Sequence, residues 1–162
     1  MILYHGSNIH IDFIDLQKGK KGKDFGKGFY LSSSQQQAYR MAELTVMKTG
    51  QGTPIVTEFD FNEELSFQLN RLDFTSYDKE WAEFVIMNRM NTSDIQAHDY
   101  DIVYGPIADD TVGATMQLFQ RKFISMDELI ARLKFRNPKY QYFFGTSTAI
   151  KTLKRLSYAP IK

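Results

Sequence analysis

The chain has 162 residues, 43% of them hydrophobic and 24% charged, with a formal net charge of +1. This length suits one domain, residues 1–162, and the small net charge argues against strong non-specific attraction to nucleic acid. The absence of cysteine excludes disulfides and thiolate metal sites, and three histidines are too few to favour a histidine-rich metal centre. There is neither a leader-like N-terminus nor a membrane-length apolar stretch, so we expect a cytoplasmic protein that uses neither metal nor membrane.

The N-terminal part predicts a short strand followed by a long loop. Residues 1–5 form an apolar run typical of a strand, and residues 6–23 contain apolar anchors that predict a packed loop. Five lysines gather around Gly19 and Gly22: Lys18, Lys20, Lys21, Lys23 and Lys27. A solvated basic loop and a surface that attracts a pyrophosphate or an acidic partner both fit this pattern.

The middle of the chain predicts alternating strands and helices. Apolar residues at helical spacing follow serines 32–34, which can cap a helix. A second amphipathic helix is predicted after Ser76, and its apolar face carries Trp81, Val85 and Asn88. Period-two alternation predicts the strands between them. The predicted elements are strand 29–31, helix 35–47, strand 55–61, a neighbouring strand at 65–69, and helix 77–90.

The C-terminal part continues this alternation. A strand ends at Gly105-Pro106, Asp109-Asp110 begin a helix, and Ser125 with Glu128 forms a capping box before another helix. The predicted elements are strand 100–104, helix 109–120, helix 126–137, strand 139–144, helix 146–155 and edge strand 158–161. Strand-rich ends and a helical middle predict an α+β domain, in which a split sheet or sandwich packs against helices.

Two short motifs predict a binding crevice. The first is Tyr4-His5-Gly6-Ser7 and the second is Phe25-Gly26-Lys27-Gly28-Phe29-Tyr30. A lone histidine is more often structural, but the pairing of the motifs suggests that His5 and Tyr30 face one slot whose walls approach at the glycines. Such a slot suits a planar, amide-bearing group. The Gly-x-Gly pair lacks a third glycine and precedes a strand, which rules out a Rossmann fingerprint.

These motifs resemble the first two motifs of the His-Tyr-Glu clade of ADP-ribosyltransferases, the PARP and diphtheria-toxin group. The chain looks most similar to small bacterial members that occur in toxin–antitoxin pairs. The resemblance implies an ADP-ribosyltransferase-like split sheet with NAD as substrate. His5 would bond a ribose hydroxyl, Gly6 and Ser7 would hold the carboxamide, and Tyr30 would stack on nicotinamide. The implied cofactor-binding set is His5, Gly6, Ser7, Gly28, Phe29, Tyr30 and Met41.

Two positions depart from the family pattern. The family's second aromatic corresponds to Met41, whose thioether makes a softer clamp on a ring. The family's late-strand glutamate corresponds to Gln141 in Tyr140-Gln141-Tyr142, so the implied catalytic set is His5, Tyr30 and Gln141. A neutral glutamine donates hydrogen bonds but stabilises less positive charge than a carboxylate does. It could equally face solvent on an edge strand.

The resemblance therefore implies a mono-ADP-ribosyltransferase that acts on a protein or nucleic acid and is neutralised by an antitoxin protein. Three alternatives stay open. One is a degraded fold that only binds, and the others are an NAD glycohydrolase and an RNA 2′-phosphotransferase. The phosphotransferase needs a richer basic cluster than the lysine loop offers.

Overall fold

The structure is a computed structural model that describes residues 1–134 and 136–159. Across those residues, seven strands form two sheets, and a 3₁₀ turn and six helices connect them. The strands are β1 (Ile2–Ser7), β2 (Phe29–Leu31), β3 (Ile55–Phe61), β4 (Arg71–Asp73), β5 (Ile102–Pro106), β6 (Tyr140–Phe144) and β7 (Leu153–Ala159). The helices are α1 (Gln35–Thr49), α2 (Glu63–Ser66), α3 (Lys79–Met90), α4 (Asp110–Gln120), α5 (Met126–Leu133) and α6 (Ser147–Ile150).

Within the described residues, one main-chain bridge joins the two sheets. One sheet has the antiparallel order β1-β3-β7, and the other has the order β2-β6-β5-β4, in which only β4 and β5 run parallel. Tyr4 and Ser32 exchange two main-chain hydrogen bonds of 2.8 Å and so join β1 to β2. Beyond this bridge the two strands separate, which places residues 5–7 of β1 at the junction of the sheets.

Apolar side chains fill the space between the sheets and cover their outer faces. The inner core takes residues from both sheets, including Leu3, Phe59 and Phe144. The outer face of the four-stranded sheet packs on α3, α4 and α5, and α1 covers β1 and β3 through contacts such as Ala38 with Val56. Because helices lie on both outer sides of two sheets, the predicted α+β class is confirmed.

Most helix starts follow the capping residues that the sequence indicates. Ser34 Oγ accepts from the Gln37 amide at the start of α1, and Ser125 Oγ accepts from the Glu128 amide at the start of α5. Asp109 caps α4 in the same way. Each cap satisfies an N–H group that has no partner within its own helix.

Other predicted elements were wrong. In place of the strand expected at 65–69, the chain forms the end of the short helix α2 and a turn, because Asn62 Oδ1 accepts from the Leu65 amide and starts the helix. Asp78 rather than Ser76 caps α3, and β5 runs through Gly105-Pro106 instead of breaking there. The last helix ends at Ile150, since β7 pairs with β3 from Leu153 onward. The edge strand expected at 158–161 overlaps β7 at 158–159, and its residues 160–161 lie outside the described residues.

Candidate functional site

His5 fills the gap where β1 and β2 separate. Its Nδ1 lies 2.7 Å from the main-chain oxygen of Tyr30. A carbonyl oxygen only accepts hydrogen bonds, so Nδ1 carries the hydrogen and neutral His5 keeps its lone pair on Nε2. The side chain bonds Tyr30 just past the Tyr4–Ser32 bridge and leaves Nε2 as an acceptor.

The surroundings of His5 keep its imidazole neutral. The ring is half-buried and stacks on Phe29, with 4.1 Å between ring centroids and 25° between the planes. Burial lowers the pKa of His5 below its usual value, although the bond to Tyr30 opposes this shift. Thr57 lies directly across from His5 on β3, and its Oγ1 is buried without a hydrogen-bond partner.

Tyr30 is held by the loop that precedes it. Its hydroxyl donates to the Gly26 carbonyl at 2.6 Å and accepts from the Phe25 amide at 3.1 Å. Its ring packs edge-on against Phe143, 5.4 Å away between centroids. Burial raises the pKa of Tyr30 well above its ordinary value, so the group stays a neutral phenol. The hydroxyl is therefore already engaged, and only the ring is left for a ligand.

The rings of His5 and Tyr30 do not share a slot, which corrects the expectation from the sequence. Phe29, on which His5 stacks, packs on the inner core, whereas Tyr30 packs on the outer cluster beneath the helices. Successive side chains alternate across a strand, so neighbours on β2 take opposite faces. The structure brings His5 to the main chain of Tyr30 and not to its ring.

The motif glycines pack against the protein itself, contrary to the expectation that they line an open slot. A Cβ at Gly6 would lie 1.8 Å from the Ala38 carbonyl oxygen of α1. A Cβ at Gly28 would lie 2.3 Å from the Phe143 ring, and Gly26, at φ +101°, faces Gln96. These positions require glycine because helix, ring and loop come close to the main chain there.

Two further residues of the implied NAD set have other surroundings. Ser7 is buried and its hydroxyl donates to the Ile9 carbonyl at 2.6 Å, which stabilises the turn after β1. Met41 lies on α1 with 52% of its surface exposed. Neither residue contacts His5 or Tyr30 through a hydrogen bond or ring contact among the described residues.

Gln141 has a buried donor without an acceptor. It lies opposite Gly105 in β6, is half-buried, and its Nε2 has no hydrogen-bond partner. Gln141 and Phe143 are two residues apart on the strand and so share a face, and Phe143 lies directly opposite Tyr30 on β2. Gln141 and the Tyr30 ring therefore lie on the same face of the sheet.

Two cavities lie near these strands. The larger, of about 680 Å³, lies between α1 and the ends of β5 and β6, and the lining includes Ser33, Gln37, Tyr104 and Tyr140. The smaller, of about 290 Å³, lies beside the lysine loop and includes Asn88 and Gln96, which the motifs had not singled out. The sequence had placed Asn88 on the apolar face of its helix, and it is indeed buried.

The described residues contain no group of three or more His, Asp or Glu side chains arranged to hold a metal ion. None of the helices in the described ranges has the length and apolarity needed to cross a bilayer.

Comparison with known proteins identifies a family but no activity. A search of curated protein sequences finds no match to the chain. The family model described as protein of unknown function (DUF3990) matches residues 1–155. Because this match spans both sheets and nearly the whole chain, the chain belongs to the DUF3990 family.

Proposed function

We propose that the chain is an NAD-dependent mono-ADP-ribosyltransferase, the cytoplasmic toxin of a bacterial toxin–antitoxin pair. The observation that carries the proposal is the buried, unpartnered Nε2 of Gln141 on the sheet face that holds the Tyr30 ring. A buried donor without a partner loses free energy, on the order of 1–3 kcal/mol, which a ligand acceptor would restore. The motif resemblance places a catalytic residue at this same position.

The proposed roles follow from the hydrogen-bonding state of each group. Gln141 Nε2 donates to a ribose hydroxyl oxygen of NAD, and His5 Nε2 accepts from a second ribose hydroxyl. The nicotinamide stacks on the face of the Tyr30 ring, since the hydroxyl of that residue is engaged with the Gly26 loop. Because the rings of His5 and Tyr30 take opposite faces, NAD would have to pass between β1 and β2 and displace the His5 side chain that fills the gap there.

The reaction breaks the bond between nicotinamide and ribose. Nicotinamide leaves as a neutral molecule with the bonding electron pair, and the sugar passes through an oxocarbenium-like state. A nucleophile of the target then bonds to the ribose carbon and loses its proton to water. Gln141 orients the ribose but adds no negative charge, so a glutamate at this position should stabilise the developing cation and raise the rate of cleavage.

A second candidate function is NAD or ADP-ribose binding without catalysis. The observation that favours it is that a neutral Gln141 and an exposed Met41 occupy the positions of the ADP-ribosyltransferase family's glutamate and second aromatic. In this case NAD would bind but no nicotinamide would form.

The test incubates the purified chain with NAD labelled in the adenine and measures nicotinamide release. We expect turnover that falls at least tenfold in Gln141→Ala and His5→Gln and rises in Gln141→Glu. Gln68→Ala, which alters an exposed glutamine outside the site, is the matched control and should keep full activity. Adding cell lysate shows whether the label is transferred to protein or nucleic acid, or only to water as in a glycohydrolase.

Binding without nicotinamide release would support the second candidate. Removal of a 2′-phosphate from RNA in the presence of NAD would identify a phosphotransferase instead. Absence of both binding and turnover would refute the proposal.

A further inference from the structure

The smaller cavity, of about 290 Å³, has a polar lining drawn from distant parts of the chain. It lies between the lysine loop, the C-terminal end of α3 and the turn after β6. Its residues include Gln17, Lys21, Lys27, Asn88, Asp94 and Gln96. The volume is close to the lower end of the range for small-molecule sites, so the cavity suits a ligand of few atoms.

Asn88 contributes a buried acceptor that the protein leaves unpaired. The residue is 1% exposed, its Nδ2 donates to the Phe84 carbonyl at 2.8 Å, and its Oδ1 has no partner. Gln96 differs, because both ends of its amide bond the main chain of Lys27, at 3.1 and 2.8 Å. Asn88 therefore offers the cavity an acceptor whose hydrogen bond has not been made.

Gly26 and Gln96 pack against one side of this acceptor. A Cβ there would lie 3.3 Å from Asn88 Oδ1 and 2.3 Å from Gln96 Oε1, and the backbone has φ +101°. A residue other than glycine would be strained at this angle and would fill the space beside the acceptor. The ligand hydroxyl that bonds Oδ1 therefore approaches from the rest of the cavity lining and not past Gly26.

The cavity also carries a net positive charge. Lys21 is paired with Asp94 at 2.5 Å, whereas Lys27 forms no ion pair among the described residues. The two lysines and one aspartate leave one positive charge on the lining. The ammonium of the half-buried residue Lys27, beside a polar cavity, attracts a single anionic group.

We propose that this cavity binds a small oxyanion that carries hydroxyl groups, either a sugar phosphate or a sugar carboxylate. A ligand hydroxyl donates to Asn88 Oδ1, and the phosphate or carboxylate lies at Lys27 Nζ. The site is separate from His5 and Gln141, and binding here involves no NAD chemistry.

The experiment titrates the isotopically labelled full chain with ribose 5-phosphate and with gluconate, observed by amide NMR. We expect at least one of them to shift the side-chain amide signal of Asn88, and the stronger binder identifies the anionic group. Ribose, which has no anion, and inorganic phosphate, which has no hydroxyl on carbon, should each bind at least tenfold more weakly.

Two variants and a control test the assignment of residues. Lys27→Gln should weaken the better ligand at least fivefold, and Lys20→Gln, an exposed lysine outside the cavity, should leave its affinity unchanged. Asn88→Leu should abolish binding while the variant still unfolds cooperatively, because it removes the acceptor Oδ1 together with the Nδ2 bond to the Phe84 carbonyl. Binding retained by folded Asn88→Leu would contradict the role of Oδ1.

The absence of any shift near Asn88 with both ligands would overturn the proposal. Equal affinity of Lys27→Gln and the wild type for the better ligand would also overturn it. A third contradicting result is an Asn88 Oδ1 that bonds only a trapped water while either ligand is present.

Discussion

Replacing Gly6 with alanine tests how closely α1 packs on β1. The new Cβ would lie 1.8 Å from the Ala38 carbonyl oxygen and 2.9 Å from the Ala42 nitrogen, whereas ordinary contacts begin at 3.4 Å. Both neighbours are helix backbone, so no flexible side chain can move aside and α1 itself must shift. Overpacked cores lose roughly 1–3 kcal/mol, and we expect Gly6→Ala to lose about 3 kcal/mol of unfolding free energy.

Urea unfolding followed by circular dichroism measures this loss. With a slope of about 2 kcal/mol per molar urea, the midpoint should fall by about 1.5 M. Gly113→Ala is the matched control, because its Cβ in α4 would meet nothing closer than the Arg89 guanidinium at 3.6 Å. That variant should gain about 1 kcal/mol from helix propensity. Equal midpoints for Gly6→Ala and the wild type would show that α1 does not lie against Gly6.

The remaining predictions concern charge. Burial lowers the pKa values of both His5 and His98 below 6.5, so under acidic conditions the unfolded state binds protons that the native state does not. The free energy of unfolding should be constant above about pH 7 and should fall as the pH drops below 6.5 toward the lowered pKa values. A urea midpoint at pH 5.5 equal to that at pH 7.5 would contradict this prediction. Asp24 accepts from Arg89 Nε at 2.8 Å and from the Ala108 amide at 3.3 Å, so Asp24→Asn should lose about 1.5–3 kcal/mol. A double-mutant cycle that combines Asp24→Asn with Arg89→Met measures how much of this loss comes from the Asp24–Arg89 interaction. A coupling energy of zero would contradict that interaction.

Local chemistry allowed the sequence to predict most helices and strands. Ser34, Asp109 and Ser125 each have a side-chain acceptor where a helix begins, and all three act as caps. The prediction of element boundaries failed where two residues could cap the same helix, or where the boundary depends on pairing between strands that are distant in sequence. Ser76 and Asp78 can both cap a helix, and only the folded chain shows that Asp78 bonds the Trp81 amide. The end of α6 depends on pairing between β7 and β3, which lie about ninety residues apart.

The candidate site was predictable only in part. The structure places His5 and Tyr30 on strands of different sheets that are bridged at Tyr4 and Ser32, with their rings on opposite faces, whereas the motifs predicted one shared slot. The orientation of the two rings depends on the separation of β1 and β2 after Tyr4, and no local sequence pattern indicates that separation. The unpaired state of Gln141 Nε2 likewise depends on the packing of the whole sheet, and so it could not be predicted from the sequence.

The most direct test of the central claim is nicotinamide release from NAD by the purified chain, compared between the wild type and Gln141→Ala. The buried, unpartnered amide of Gln141 predicts measurable release by the wild type and a loss of at least tenfold in the variant, with cooperative thermal unfolding of both proteins as the check on folding. Equal release by both proteins, or none by the wild type, would contradict the account.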